Sequence, residues 1–167
     1  MERVIGAVIA VILGLIALAR VVYEGGQAMT TSKSDALLSD MAALSTNAHS
    51  QFMQSNTGYT NFTTTNTPAL ITAGILPADM NKSGIATDQW GNAMAFSGTN
   101  AQFTITVGGA NMPQDACTSV VTGMQNYQSM SVGPGGSGQS FSPAAPPDAV
   151  SAANACTTGA SIAVTYN

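Results

Sequence analysis

Charge is what this sequence has least of. Lysine and arginine together number four and aspartate and glutamate eight in 167 residues, so charged residues make up 7%. An average soluble protein carries about 25%. After Gly26 the cations are Lys33 and Lys82, set against Asp35, Asp40, Asp79, Asp88, Asp115 and Asp148. With no basic patch to neutralise phosphates, direct nucleic-acid binding by a single copy is not expected. Histidine occurs once, as His49, without an acidic or cysteine neighbour in sequence, and reads as a surface or packing residue. One histidine and no clustered carboxylates provide neither a Ser/His/Asp set nor a general acid/base pair. Gly133-Pro134-Gly135-Gly136 lacks the G-K-[ST] of a phosphate loop. The expectation is a chain that is not an enzyme and takes no cofactor and no metal.

Cysteine is almost as scarce. Cys117 and Cys156 stand alone and far apart, which matches no metal motif. Behind an export-type segment a disulfide is the natural reading, with two buried free thiols as the alternative. Closing that loop stabilises a fold by about 4 kcal/mol on chain entropy. Asn61-Phe62-Thr63 and Asn81-Lys82-Ser83 match the N-glycosylation pattern, which is short enough to arise by chance.

What the sequence does have is a long apolar run at its start. Between Val4 and Ala19 there is no charged or polar side chain. Sixteen helical residues rise about 24 Å, and Val21, Val22 and Tyr23 extend the run past Arg20. That is close to the bilayer core of about 30 Å, with Arg20 long enough to snorkel to the interface. The flanks argue against a cleaved secretory signal: Met1-Glu2-Arg3 holds an acid and a base, and VVYEGGQAM offers no good small-residue cleavage site. Gly6, Ala10 and Gly14 recur every four residues and lay a groove of small side chains along one helical face. In apolar helices such a groove permits close helix–helix approach.

Gly25-Gly26 soften the helix, and Ser32 to Asp35 reads as a capping-box-like restart. Leu37, Met41, Leu44, Ala48 and Phe52 then fall on one face, with Lys33, Asp40, Asn47 and Ser50 available for the other. Ser55 to Thr67 is Thr/Asn-rich and reads as loop, and Pro68 opens a short helix. Asp88-Gln89-Trp90-Gly91-Asn92 forms a turn cluster. Ala93 to Phe96 and Gln102 to Val107 read as a hairpin with one buried face. A helix is predicted over Asn111 to Asn126, a short strand over Met130 to Val132, and a Gly/Pro/Ser loop over Gly133 to Pro147. A helix from Asp148 to Ala155 and a strand from Ser161 to Tyr166 follow. The fold class is α+β. A long N-terminal helix, half apolar and half amphipathic, packs on a small antiparallel sheet with short helices and a disulfide-bounded C-terminal region. The expected divisions are 1–27, an apolar transmembrane or filament-core helix; 28–54, its amphipathic half; and 55–167, a globular head.

This layout resembles a type IV pilin, more closely the type IVb group. Four features carry the resemblance. They are the apolar helix that starts near residue 3 and becomes amphipathic, and the Asp88-Gln89-Trp90-Gly91-Asn92 turn, similar to the D-P-W-G-N turn of pseudopilins and pilins, with Gln89 where proline is usual. The others are the pair Cys117 and Cys156, and the closing CTTGASIAVTYN. The sequence departs from the pattern at Ile5, where mature pilins carry a glutamate if Met1 is the mature N-terminus, and at Arg20 inside the apolar run.

The resemblance implies a major pilus subunit that waits in the bacterial inner membrane, is extracted by an ATP-driven assembly machine, and becomes part of an extracellular helical homopolymer. Its partners are then other copies of itself, the membrane and that machinery. The expected assembly residues are Met1, Glu2, Arg3, Gly6, Ala10 and Gly14. Glu2 is expected to pair with the α-amino group of Met1 or with Arg3 of a neighbour, in the role the family gives its glutamate. The alternatives are a monomeric membrane-anchored surface or periplasmic binding domain, and a minor pilin or pseudopilin.

Overall fold

The computed structural model of the chain describes residues 28–167. The apolar run and all six predicted assembly residues, Met1, Glu2, Arg3, Gly6, Ala10 and Gly14, lie outside the described residues. Among those described, no helix is long and apolar enough to cross a membrane.

Helix α1 covers residues 28–52. Its predicted stripe is the packing face: Leu37, Met41, Leu44 and Ala48 are fully buried, and Phe52 packs against the core from its edge. The restart predicted at Ser32 does not occur. The chain is already helical at residue 28, and Ser34 answers the local competition by donating its hydroxyl to the Thr30 carbonyl at 3.0 Å.

The elements after α1 are α2 (Thr67–Thr72), β1 (Asn81–Lys82), β2 (Ile85–Ala86), β3 (Ala95–Gly98), β4 (Phe103–Gly108), α3 (Gln114–Gly123), β5 (Ser129–Pro134), β6 (Gln139–Phe141), α4 (Ala149–Ala155) and β7 (Ala160–Tyr166). β1 and β2 form a small hairpin. The main sheet is antiparallel in the order β3-β4-β7-β5-β6, so the strand that comes last in sequence lies at the centre. Period-two alternation gives the sheet two unlike faces. Phe103, Ile105, Val107, Met130, Val132, Ile162, Val164 and Tyr166 are buried in the core with the α1 stripe, whereas Thr104, Thr106, Ser131, Ala163 and Thr165 are half-buried on the other face. There the Thr104 and Thr165 hydroxyls bond across strands at 2.9 Å.

Three predicted elements are corrected. The loop over Gly133 to Pro147 contains an edge strand: β6 pairs Gln139 to Phe141 with Val132 to Met130. The helix expected to reach Asn126 stops at Gly123, because Met124 turns extended and Asn126 adopts a left-handed φ of 56°. Gly123 itself lies so close to α1 that a Cβ would stand 2.6 Å from Leu38 Cδ1. The stretch Ser55 to Thr67, read as loop, ends in the 3₁₀ turn Thr64–Asn66 and the first residue of α2, and Tyr59 and Phe62 within it are buried. Phe62 lies edge-on to Phe52, Phe96 and Phe103, and Tyr59 contacts Phe103 with ring centroids 4.7 Å apart.

Cys117 on α3 and Cys156 at the end of α4 form a disulfide with Cα atoms 5.8 Å apart. The helix read over Asp148 to Ala155 is α4, with Asp148 as its N-cap. Asp148 accepts the Ser151 N–H at 2.7 Å while the Ser151 hydroxyl accepts the Asp148 N–H, a reciprocal cap. That backbone N–H, and secondarily the hydroxyl, hold the Asp148 carboxyl below its ordinary range.

Candidate functional site

Three places on the head combine unusual chemistry with a position that packing has fixed. The first is the turn around the only tryptophan. Asp88 is 2% exposed, and among the described residues no cation bonds its carboxylate. Instead it accepts four N–H donors: Oδ1 takes those of Trp90 and Asn92, both at 2.9 Å. Oδ2 takes Asn92 Nδ2 at 2.9 Å and the Gly108 N–H at 3.1 Å. The Asn92 carbonyl in return accepts the Asp88 N–H at 2.9 Å. A buried carboxylate is costly unless its lone pairs are occupied, and four donors occupy them. The turn is thereby fixed to the end of β4, and Asn92 Oδ1 extends the link to the Asn111 N–H at 3.1 Å.

The second place joins this turn to α1. Gln89 donates its two amide hydrogens to two carboxylates, Asp40 on α1 at 2.7 Å and Asp79 in the 3₁₀ turn Ala78–Met80 at 3.1 Å. Burial raises the Asp40 carboxyl above its ordinary value, the Gln89 hydrogen bond opposes that, and the charge of nearby Asp79 raises it further. Sequence reading singled out Gln89 as a departure from the family turn and placed Asp40 on the exposed face of α1, but it did not connect them. Asn47, placed on the same face, donates to the carbonyls of Gly74 at 3.4 Å and Ile75 at 3.2 Å.

The third is a cleft of about 500 Å³ between α1 and the α3–β5 connection. Leu38, Ala42 and Thr46 line one side, and Met124, Gln125 and Asn126 the other. None of these six carries a charge. The cleft offers amide and hydroxyl hydrogen bonding over an apolar floor, without a nucleophile or an acid/base pair. His49 stands at its end, where its Nδ1 bonds the Tyr59 hydroxyl at 2.8 Å and its ring lies edge-on to Phe103. That agrees with the packing role read for it. The cleft had no signal in the sequence, because its walls are 75 or more residues apart along the chain.

The two acceptor patterns differ in setting. Asn61 is exposed, whereas Asn81 is half-buried and its side-chain oxygen already accepts the Gly84 N–H at 3.0 Å. Among the described residues no group of histidine, cysteine and carboxylate side chains could hold a metal ion.

Comparison with known proteins bears on the whole of this architecture. The family model described as PilS N terminal matches residues 25–167. The fold is similar to the crystal structure of TcpA, a type IV pilin from Vibrio cholerae El Tor biotype, with a TM-score of 0.59. At 15% identity, that likeness covers 81% of this chain and 99% of the other and concerns the fold alone. Comparison with curated proteins returned no match.

Proposed function

We infer that this chain, which belongs to the PilS N-terminal family and is a type IV pilin, is the major structural subunit of a pilus filament. The observation that carries the reading is the family match over residues 25–167 taken together with the uncharged run Val4–Ala19 that stands ahead of them in the sequence. The described helix spends its apolar stripe on its own head. The uncharged run Val4–Ala19, which ends nine positions before the first described residue, is left to be buried by lipid or by other copies. Residues 1–27 then serve as membrane helix before assembly and as filament core after it, 28–54 as the half of the helix that holds the head, and 55–167 as the head.

The physics of transfer supports this division. An uncharged helix loses little on leaving lipid for a protein core, and the small residues Gly6, Ala10 and Gly14 allow close packing there. Glu2 is costly to bury unless paired, and the Met1 α-amino group or Arg3 of a neighbouring copy is the available partner. An assembly machine in the inner membrane extracts the subunit, and the filament is extracellular.

The test is electron microscopy of filaments sheared from producing cells, with N-terminal sequencing of their main band. That band should be this chain. Filaments made mainly of another protein refute the major-subunit reading and leave a minor pilin or an anchored monomer. Gly14→Leu should insert in the membrane at the normal level and fail to assemble, and normal filaments from it would remove the groove from the model. Glu2→Gln, which keeps shape without charge, should also insert and assemble poorly, and a wild-type filament yield would remove the pairing.

A further inference from the structure

Asp40, Gln89 and Asp79 come from three segments that meet at one point on the surface of the head. A side-chain amide has two N–H donors, and here each is given to a different carboxylate. The amide is neutral, so it holds two negative charges near each other without cancelling either. We propose that these three side chains form a proton-responsive clasp between α1 and the loops leading into β3, loosest when both carboxylates are ionised and tightest when one proton is shared between them.

The surroundings favour that response. Among the described residues, burial, Gln89 and Asp79 are the influences on Asp40, with no cation among them. On α1 the positions three and four residues away are Ala36, Leu37, Ala43 and Leu44, all uncharged. The 3₁₀ turn contributes Asp79 itself. From the following hairpin, Lys82 is exposed. In the turn that carries Gln89, the other acid is Asp88, whose carboxylate is fully engaged by Trp90, Asn92 and Gly108. A proton entering the pair goes to Asp40, which is half-buried. Protonated, Asp40 becomes a donor and bonds Asp79 directly, while Gln89 keeps its bonds to both.

The sign follows from linkage. Asp40 holds its proton more tightly in the folded chain than its ordinary value of 3.8 implies. A carboxyl raised by folding contributes its full stability below that ordinary value and loses it as pH rises through the raised one. The clasp therefore opposes ordinary acid unfolding. It is a property of the single chain and stands independently of the filament reading.

The experiment is a carboxyl-carbon NMR titration of the full chain in detergent micelles, with Asp40 assigned through Asp40→Asn. The Asp40 midpoint should lie above 3.8, and Asp79→Asn should lower it. Gln89→Leu should raise it further, since the bond that favours the ionised form is gone. In parallel, the melting temperature of the wild type should rise relative to Asp40→Asn as pH falls from neutral toward the Asp40 midpoint. An Asp40 midpoint at the ordinary value, or one that Asp79→Asn leaves unmoved, overturns the proposal. The wild-type titration alone decides the first point even where a variant fails to fold.

Discussion

Asp88 offers the sharpest test of how the head is held together. Its carboxylate is buried and satisfies four N–H groups, two on each oxygen. Asp88→Ala leaves all four without their acceptor. A hydrogen bond to a charged group contributes about 1.5–3 kcal/mol, and bonds within one network do not add fully. Partial hydration of the half-buried Asn92 offsets some of the loss. The expected net cost is about 4 kcal/mol. Asp88→Asn is the finer probe. Its remaining oxygen can still serve the Trp90 and Asn92 backbone N–H groups, but an NH₂ now faces Asn92 Nδ2 and the Gly108 N–H. Donors then meet donors, at a cost of about 2 kcal/mol. At about 3 °C per kcal/mol for a domain of this size, the two variants should melt about 12 °C and 6 °C below the wild type. Trp90 is the only tryptophan in the chain and sits inside the turn, so its fluorescence reports the event directly. An Asp88→Asn variant melting within 1 °C of the wild type refutes the four-donor account. So would an Asn variant less stable than the Ala variant.

Replacing Cys117 and Cys156 by serine reopens a separation of 39 residues and should cost about 4 kcal/mol, read as a lower melting temperature that the wild type matches only after reduction. Gly98→Ala places a Cβ 1.8 Å from the Tyr59 carbonyl oxygen, so thermal melting should show a loss of at least about 3 kcal/mol. Gly74→Ala meets nothing within 4 Å but must hold φ +70°, and the same assay should show only about 1 kcal/mol. Phe62→Ala removes a fully buried ring from the aromatic cluster and should cost about 3–5 kcal/mol in the same melts. Burial pushes the Tyr166 hydroxyl well above the ordinary tyrosine range. The neutral phenol is therefore the folded form, and the stability it contributes is lost as pH rises past about 10. Ultraviolet titration should show Tyr166 ionising only together with alkaline unfolding, and Tyr166→Phe should move that unfolding to higher pH.

What the sequence revealed of the fold follows from which interactions are periodic. The stripe from Leu37 to Phe52 repeats with the helix, and Phe103, Ile105 and Val107 repeat with the strand, so both faces could be read before the structure. The lone cysteine pair was legible because it is a count, and the helix from Asp148 to Ala155 because it is a local pattern, but its cap was not read. Tyr59 and Phe62 were not, because two aromatic residues in a Thr/Asn-rich run have no period to betray that the loop dips into the core. β6 was hidden by the glycines and prolines on either side of it, and its three residues are too short to alternate. The Asp40–Gln89 bond spans 49 positions and exists only because topology brings α1 to the turn. The same holds for the cleft and for the central place of β7. The predicted assembly residues, Met1 to Gly14, are outside the described chain, and their roles remain proposals.

The edge of the sheet at β3 has one further consequence. Its outward backbone is already occupied by a side chain. The Thr64 hydroxyl accepts the Phe96 N–H at 2.7 Å and lies 3.2 Å from the Phe96 carbonyl, to which it donates. An open edge strand invites the backbone of any neighbouring sheet. Molecules kept side by side at high local density meet that hazard continuously, and a single hydroxyl removes it here at the middle of the strand. Thr64 thus closes the middle of this edge to a neighbouring strand. Valine in its place, nearly equal in size, would leave this head folded but adhesive.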